Sequence, residues 1–334
     1  MHFALSECLA NLLAKNTANI HVAGILAVLV IGLSSGYIAA NFFGLPEHWA
    51  KKIMTAVLVS FNWLISLLVI WQLQLSTQLI WLPIIGLALM LTITVLSAAV
   101  FSLFDLDLKS RLTLILAGGL SNLGYTGGAF VCYALFGMAG LALANLYSVL
   151  WEPVAYFVFF PLLKTYELRR SGGTGGFKLS GMLDCRFLSI PAITAAIILN
   201  LAGTRPPAFI ADFRIIDLFV YAASAMSFFA IGLRVNLSRL KNHVKMYFPL
   251  IGVKFILTPI IAILIITLLA AVGQNLTALV RKVIMVQSVT PSAVLMVTMS
   301  NVFDLDGPLA SAVWVITTAV FAAIVVPVLF FIFT

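Results

Sequence analysis

Two polar stretches interrupt an otherwise apolar chain, and their residue types are those that bind a small solute rather than those that make or break covalent bonds. The first reads Ala117-Gly-Gly-Leu-Ser121-Asn122-Leu-Gly124-Tyr125-Thr126-Gly127-Gly128, with five glycines in twelve residues; the second reads Gln287-Ser288-Val-Thr290-Pro291-Ser292. Each glycine costs roughly 1 kcal/mol against alanine inside a helix. Pro291 removes a backbone donor, crowds the preceding turn and frees carbonyls near Gln287. The hydroxyls and amides of Ser121, Asn122, Thr126, Gln287, Ser288, Thr290 and Ser292 are close enough to satisfy those freed groups or to hold a ligand. A half-helix starting at such a break points unpaired N–H groups and partial positive charge into the gap, which suits an anion. The alternative is a close-packing glycine surface in the first stretch and an ordinary proline kink in the second.

The elements that carry these stretches follow from composition. The 334 residues are 63% hydrophobic and 9% charged, and the mean hydropathy is +1.15. Soluble domains are about a quarter charged, so this is an all-α integral membrane protein; disordered and disulfide-framed chains are excluded. The three cysteines, Cys8, Cys132 and Cys185, have no metal-like spacing. A formal charge of +8 would suggest nucleic acid in a soluble chain, but here the basic residues fall between apolar runs and report topology.

Apolar runs of the length a bilayer demands predict ten spans. Eight are 20–43, 53–73, 79–104, 138–163, 187–202, 217–233, 248–271 and 309–333; the fourth, 112–136, and the ninth, 283–302, contain the two polar stretches. With the N-terminus outside, thirteen Lys and Arg residues fall in cytoplasmic connections and five on the other face, with Lys254 inside a span. Both termini are therefore expected to be extracytoplasmic, in the plasma (inner) membrane. Residues 1–19 form an N-terminal segment, either lying on the membrane surface or a disordered tail. Residues 165–186, with the Gly-rich 171–176, read as a cytoplasmic linker.

A shift of 166 residues carries Pro83 onto Pro249, Gly86 onto Gly252 and Pro161 onto Pro327, and superposes the two interrupted spans. Five spans per half place the second copy upside down relative to the first. The expectation is two inverted repeats, 20–164 and 187–334, with broken helices four and nine facing each other near the midplane, as in secondary transporters.

Charges inside the membrane are costly and each needs a reason. Glu152, in Trp151-Glu152-Pro153, has two readings: a carrier of a proton or cation, or a neutral carboxyl bonded to backbone. Lys254 either snorkels to the interface or supplies positive charge to the transport path. Arg214 and Asp217 read as interfacial, and Asn62 and Asn145 as interhelical glue.

Several of these residues, taken in order, resemble the auxin efflux carrier family, whose bacterial members are permeases for small organic acids. The resemblance runs from about Gly36 to Pro327. It rests on Gly36-Tyr37 with Gly44-Leu-Pro46-Glu47 and Lys51-Lys52, on Asn122-Leu-Gly124-Tyr125-Thr-Gly127, on Phe229-Ala-Ile-Gly232-Leu233, on Lys254-Phe-Ile-Leu-Thr-Pro259, and on Pro291 with Asp304-Leu-Asp306. It implies ten spans in two inverted five-helix repeats, crossed helices four and nine, an elevator-like motion and often a homodimer. It also implies that Asn122 and the backbone around Pro291 lie at the substrate. Ala129, Ala225 and the surroundings of Asn62 depart from the family's prolines, and no particular substrate carries over.

The function expected is a secondary-active or facilitative permease for a small organic anion. Its binding residues would be Ser121, Asn122, Gly124, Tyr125, Thr126, Gly127, Gln287, Ser288, Thr290, Pro291 and Ser292, with Glu152 and Lys254 as charge or coupling residues. A sodium-coupled bile-acid-type symporter shares this architecture, but neither broken span holds an Asp or Glu to ligate the ion. A membrane sensor on a transporter scaffold is a third possibility. The histidines, His2, His21, His48 and His243, sit at or outside span ends, which argues against an enzyme or a metal site, and no cofactor or nucleic acid is called for. No Walker motif occurs, so any transport runs on a gradient.

Overall fold

In lipid every backbone N–H and C=O must be satisfied within the protein, so apolar runs of this length become helices. The computed structural model describes residues 27–46, 48–171, 188–234 and 244–333. The N-terminal segment 1–19, the start of the first span, the linker from residue 172, His2, His21 and His243, and Cys8 and Cys185 lie outside the described residues.

The helices are α1 (Ala27–Asn41), α2 (His48–Trp71), α3 (Thr77–Ser102), α4 (Leu108–Gly119), α5 (Gly128–Ser148), α6 (151–171), α7 (Ser189–Leu201), α8 (Ala208–Asp212), α9 (Ile215–Gly232), α10 (Val244–Ala271), α11 (Ala278–Ser288), α12 (Val294–Val302) and α13 (Gly307–Phe333). The chain is all-helical; among the described residues the one pairing of extended backbone is an antiparallel bridge between Ser121 and Ser292.

Among the described residues, six stretches are long and apolar enough to cross a membrane: α2, α3, the run Gly128–Leu168, α9, α10 and α13. The helix α1 and the helix α7 are shorter apolar helices, and the expected fourth and ninth spans are each split into pieces too short to cross alone. The long run Gly128–Leu168 is itself bent at Gly137, whose φ of 63° lies in the left-handed region. There the chain turns so tightly that a Cβ on Gly140 would sit 2.4 Å from the Cys132 carbonyl oxygen. The junction expected between the fourth and fifth spans is this turn.

Proline accounts for most of the helix irregularities. Wider π-type turns occupy Ala155–Phe159, Val253–Leu257 and Phe321–Val325, and Pro161, Pro259 and Pro327 each follow two residues after one of them. A widened turn makes room for the ring and spares the hydrogen bond that proline cannot donate. The first and third of these turns are related by the same 166-residue shift that superposes their prolines. A fourth, Leu58–Asn62, forms without a proline.

One tight contact binds the N-terminal helix to the second half. A Cβ on Gly36 would lie 2.1 Å from the Phe229 carbonyl oxygen, and one on Gly232 would lie 2.3 Å from the Leu33 carbonyl oxygen. The backbones of α1 and α9 therefore touch at these two glycines, as small residues allow in membranes. The starts of α4 and α13 are also tied: Asp306 caps α13 through the Leu309 N–H, its other oxygen accepts from Ser110 Oγ at 2.8 Å, and Lys109 pairs with Asp304 at 2.6 Å. Large apolar side chains such as Val95 and Phe331, 68% and 90% exposed, cover the perimeter. That surface is suited to lipid and not to water.

Candidate functional site

The two helix breaks meet and complete each other's hydrogen bonding. Helix α4 ends at Gly119, and the carbonyls of its last turn need donors. Ser292 Oγ donates to the Ala117 carbonyl at 2.7 Å, and the Ala293 N–H donates to the Leu120 carbonyl at 2.9 Å. In return the Asn122 N–H donates to the Pro291 carbonyl at 2.8 Å. Thr290 Oγ1 donates to the Gln287 carbonyl at 3.0 Å, which is the group that Pro291 was expected to free. The glycines allow this contact: a Cβ on Gly128 would stand 1.9 Å from Gln287 Oε1.

Beside the breaks lies a cavity of about 460 Å³. The loop from Ser121 to Thr126 forms one wall, and the first turns of α12, with Val294, Leu295 and Thr298, form another. Asn122 is held in place by its own loop, accepting from Thr126 Oγ1 at 3.0 Å and donating to the Thr126 carbonyl at 3.4 Å. Tyr125 donates its hydroxyl to Asn145 Oδ1 at 3.3 Å, and Ser66 donates to the same oxygen at 2.9 Å. Gly124 is exposed, with open space where a Cβ would stand. Lys51, Arg234 and Asn301 also line the cavity; the exposure of Lys51 and Asn301 marks this end as its mouth.

Of the two half-helix starts, that of α12 has its unpartnered N–H groups on cavity-lining residues. At the start of α5, the N–H groups of Gly127, Gly128 and Ala129 are taken by the carbonyls of Gly124, Asn122 and Leu123. At the start of α12, Met296 N–H returns to the Ala293 carbonyl, while the N–H groups of Val294 and Leu295 have no partner among the described residues. Both residues line the cavity. A cavity wall made of a helix start favours negative charge.

Of the expected site residues, Ser121, Asn122, Gly124, Tyr125, Thr126 and Glu152 line this cavity. Gly127, Gln287, Ser288, Thr290, Pro291 and Ser292 do not: Gly127 tucks behind the Asn122 carbonyl, and the hydroxyls of Ser288, Thr290 and Ser292 are spent on carbonyls in the protein interior. Backbone carbonyls freed in lipid need those donors more than a ligand does. The second break contributes to the cavity through the start of α12 instead. The Glu152 carboxylate has no hydrogen-bond or ion-pair partner among the described residues, which removes the reading of a carboxyl tied to neighbouring backbone.

Lys254 does not snorkel. It is fully buried, and its Nζ donates to Ser121 Oγ at 2.6 Å, behind the cavity wall. Asn62 and Asn145 act as interhelical glue, Asn62 through a 2.8 Å bond to Ser189, but both also line the cavity. Sequence reasoning passed over Ser66, Ser189, Ser227 and Asn301 as cavity residues. Single polar residues on apolar helices gave the only available signal, and their facing was invisible without the packing. Asp217 accepts from the Tyr133 hydroxyl and pairs with Arg214 at 2.6 Å, at the start of α9 where an interfacial pair was expected.

Among known proteins the chain matches no family model and no curated sequence. Fold and cavity nonetheless define a class. This is a membrane-embedded helical protein, and the six long apolar helices among the described residues fit a membrane transporter in general.

Proposed function

We propose that the chain is a secondary-active or facilitative permease for a small organic anion, similar to the auxin efflux carriers, working by elevator-type alternating access. The observation that carries this reading is the start of α12, whose Val294 and Leu295 N–H groups are unpartnered on the wall of a cavity of about 460 Å³ that Asn122 also lines. A cavity of this size suits a small molecule, since ligand sites run from about 300 to 1,000 Å³. Lys51 on the lining adds positive charge at the mouth, which draws in anions. The pairing of the two breaks supports a crossing of helices four and nine. The π-type turns at Ala155–Phe159 and Phe321–Val325, one 166-residue shift apart, support two inverted five-helix repeats and ten spans. In this reading both termini are extracytoplasmic, the membrane is the plasma membrane, and the protein works as a homodimer.

The test is a melting screen of the purified protein against small mono- and dicarboxylic acids, followed by counterflow of the stabilising acid in proteoliposomes. A saturable rise in melting temperature and substrate-dependent counterflow are expected. Binding without flux would favour a sensor, and stabilisation by neutral or cationic solutes alone would overturn the anion.

Glu152 gives the reading a second check. An anion entering beside this carboxylate meets like charge unless a proton comes with it. Uptake by the wild type is therefore expected to quicken as the pH on the entry side falls, and Glu152→Gln to transport at a rate that no longer follows pH. A variant with the wild-type pH profile would show that the proton travels elsewhere.

A further inference from the structure

The buried Nζ of Lys254 lies at the break that ends α4. Lys254 sits in the π-type turn Val253–Leu257 of α10 and is fully buried. Its Nζ is 2.6 Å from Ser121 Oγ and 3.4 Å from the Gly118 carbonyl oxygen. Gly118 belongs to the last turn of α4, whose carbonyls carry the partial negative charge of a half-helix C-terminus. No carboxylate pairs with Lys254 among the described residues, so these two oxygens are its polar partners.

A void of about 10 Å³ next to Ser121 is lined by Gly119, Thr258 and Gln287 together with apolar side chains such as Leu89, Met90 and Ile93. Gln287 is 1% exposed, and its Oε1 is a buried acceptor with no partner among the described residues. Carbonyl and hydroxyl oxygens at a broken helix are the ligands that hard cations choose. Glycine clears the way: a Cβ on Gly118 would collide with Ser97 Oγ at 2.0 Å, so α3 and α4 close up and leave the carbonyl to Lys254.

We propose that Lys254 is a built-in cation occupying an alkali-ion site at the end of α4, so that the first break is held in shape with no dissolved sodium. The consequence for transport, an anion carrier indifferent to sodium, rests on the function proposed above. The site itself does not, and melting of the purified protein reads it without substrate or flux.

Melting is measured in choline, sodium and potassium chloride at one ionic strength, with and without n-propylammonium, for the wild type and Lys254→Ala. The wild type is expected to melt within about 1 °C in all of them, as it has no site left for a mobile ion. Lys254→Ala is expected to melt lower in choline, and sodium or propylammonium, entering the vacated site, to raise it saturably by at least about 3 °C. A folded Lys254→Ala that ignores both cations overturns the proposal. So does a wild type stabilised saturably by sodium over choline, and that comparison alone decides the matter if Lys254→Ala does not fold in any salt.

Discussion

Replacing Asn122 with alanine is expected to cut flux of the transported anion roughly 10- to 150-fold, the equivalent of about 1.5–3 kcal/mol for a hydrogen bond to a charged group. Asn122 is the cavity-lining amide at the point where the two breaks join, its N–H on the Pro291 carbonyl at 2.8 Å and its side chain closed on Thr126. The alanine variant loses the side-chain bonds and keeps the backbone one, so its melting temperature should drop only by a few degrees. Asn122→Asp separates positioning from charge. It can still accept from Thr126 Oγ1, but it sets a negative group on the wall proposed to meet an anion. If the aspartate variant transports as well as the wild type, the guest is not an anion; if the alanine variant does, Asn122 is not at the site.

The second large effect is on assembly. Gly232→Leu should yield little monodisperse protein and destabilise what forms by about 3 kcal/mol or more, because the added Cβ stands 2.3 Å from the Leu33 carbonyl oxygen and 2.9 Å from the Gly36 Cα. Those neighbours are backbone, so α1 and α9 must separate. The matched control is Gly252→Leu in α10, where a Cβ meets nothing within 4 Å. Leucine is the better helix former by somewhat under about 1 kcal/mol, so the control should melt at or slightly above the wild type. Size-exclusion profiles and melting curves of the pair measure the difference. Equal behaviour would mean that the two helices do not touch through these glycines.

Gly36 and Gly232 show what a sequence can and cannot disclose. Each belongs to a short motif at the sequence level, but nothing in either motif indicates that they press against each other across almost two hundred residues of chain. The breaks were legible in more detail. Glycine density at 117–128 and Pro291 both act on the backbone locally, so their effect could be stated before any packing was known. The same holds for the carbonyl of Gln287, released by Pro291 and recovered by Thr290.

Facing was not legible. Ser121 and Ser292 look alike as hydroxyls in broken spans. One is on the cavity wall and holds Lys254; the other is buried on the Ala117 carbonyl. Lys254 had two readings, a path to the interface or a charge on the transport path, and it turned inward because the end of α4 supplied oxygens that no local pattern announces. Asn62 and Asn145 were taken as glue between helices, and they are that, but both also line the cavity, as does Ser66, which donates to Asn145.

By itself the sequence determined that the chain is a helical membrane protein and where its helices break. Those properties follow from hydrophobic length and from the backbone limits of glycine and proline, which act over a few residues. Which polar groups face the cavity, which are spent on freed carbonyls, and which helix start keeps its N–H groups unclaimed were decided by tertiary structure alone. Hydrogen bonds between residues 120 and 293, or 118 and 254, depend on how distant segments pack, and one strand of text contains no measure of that distance.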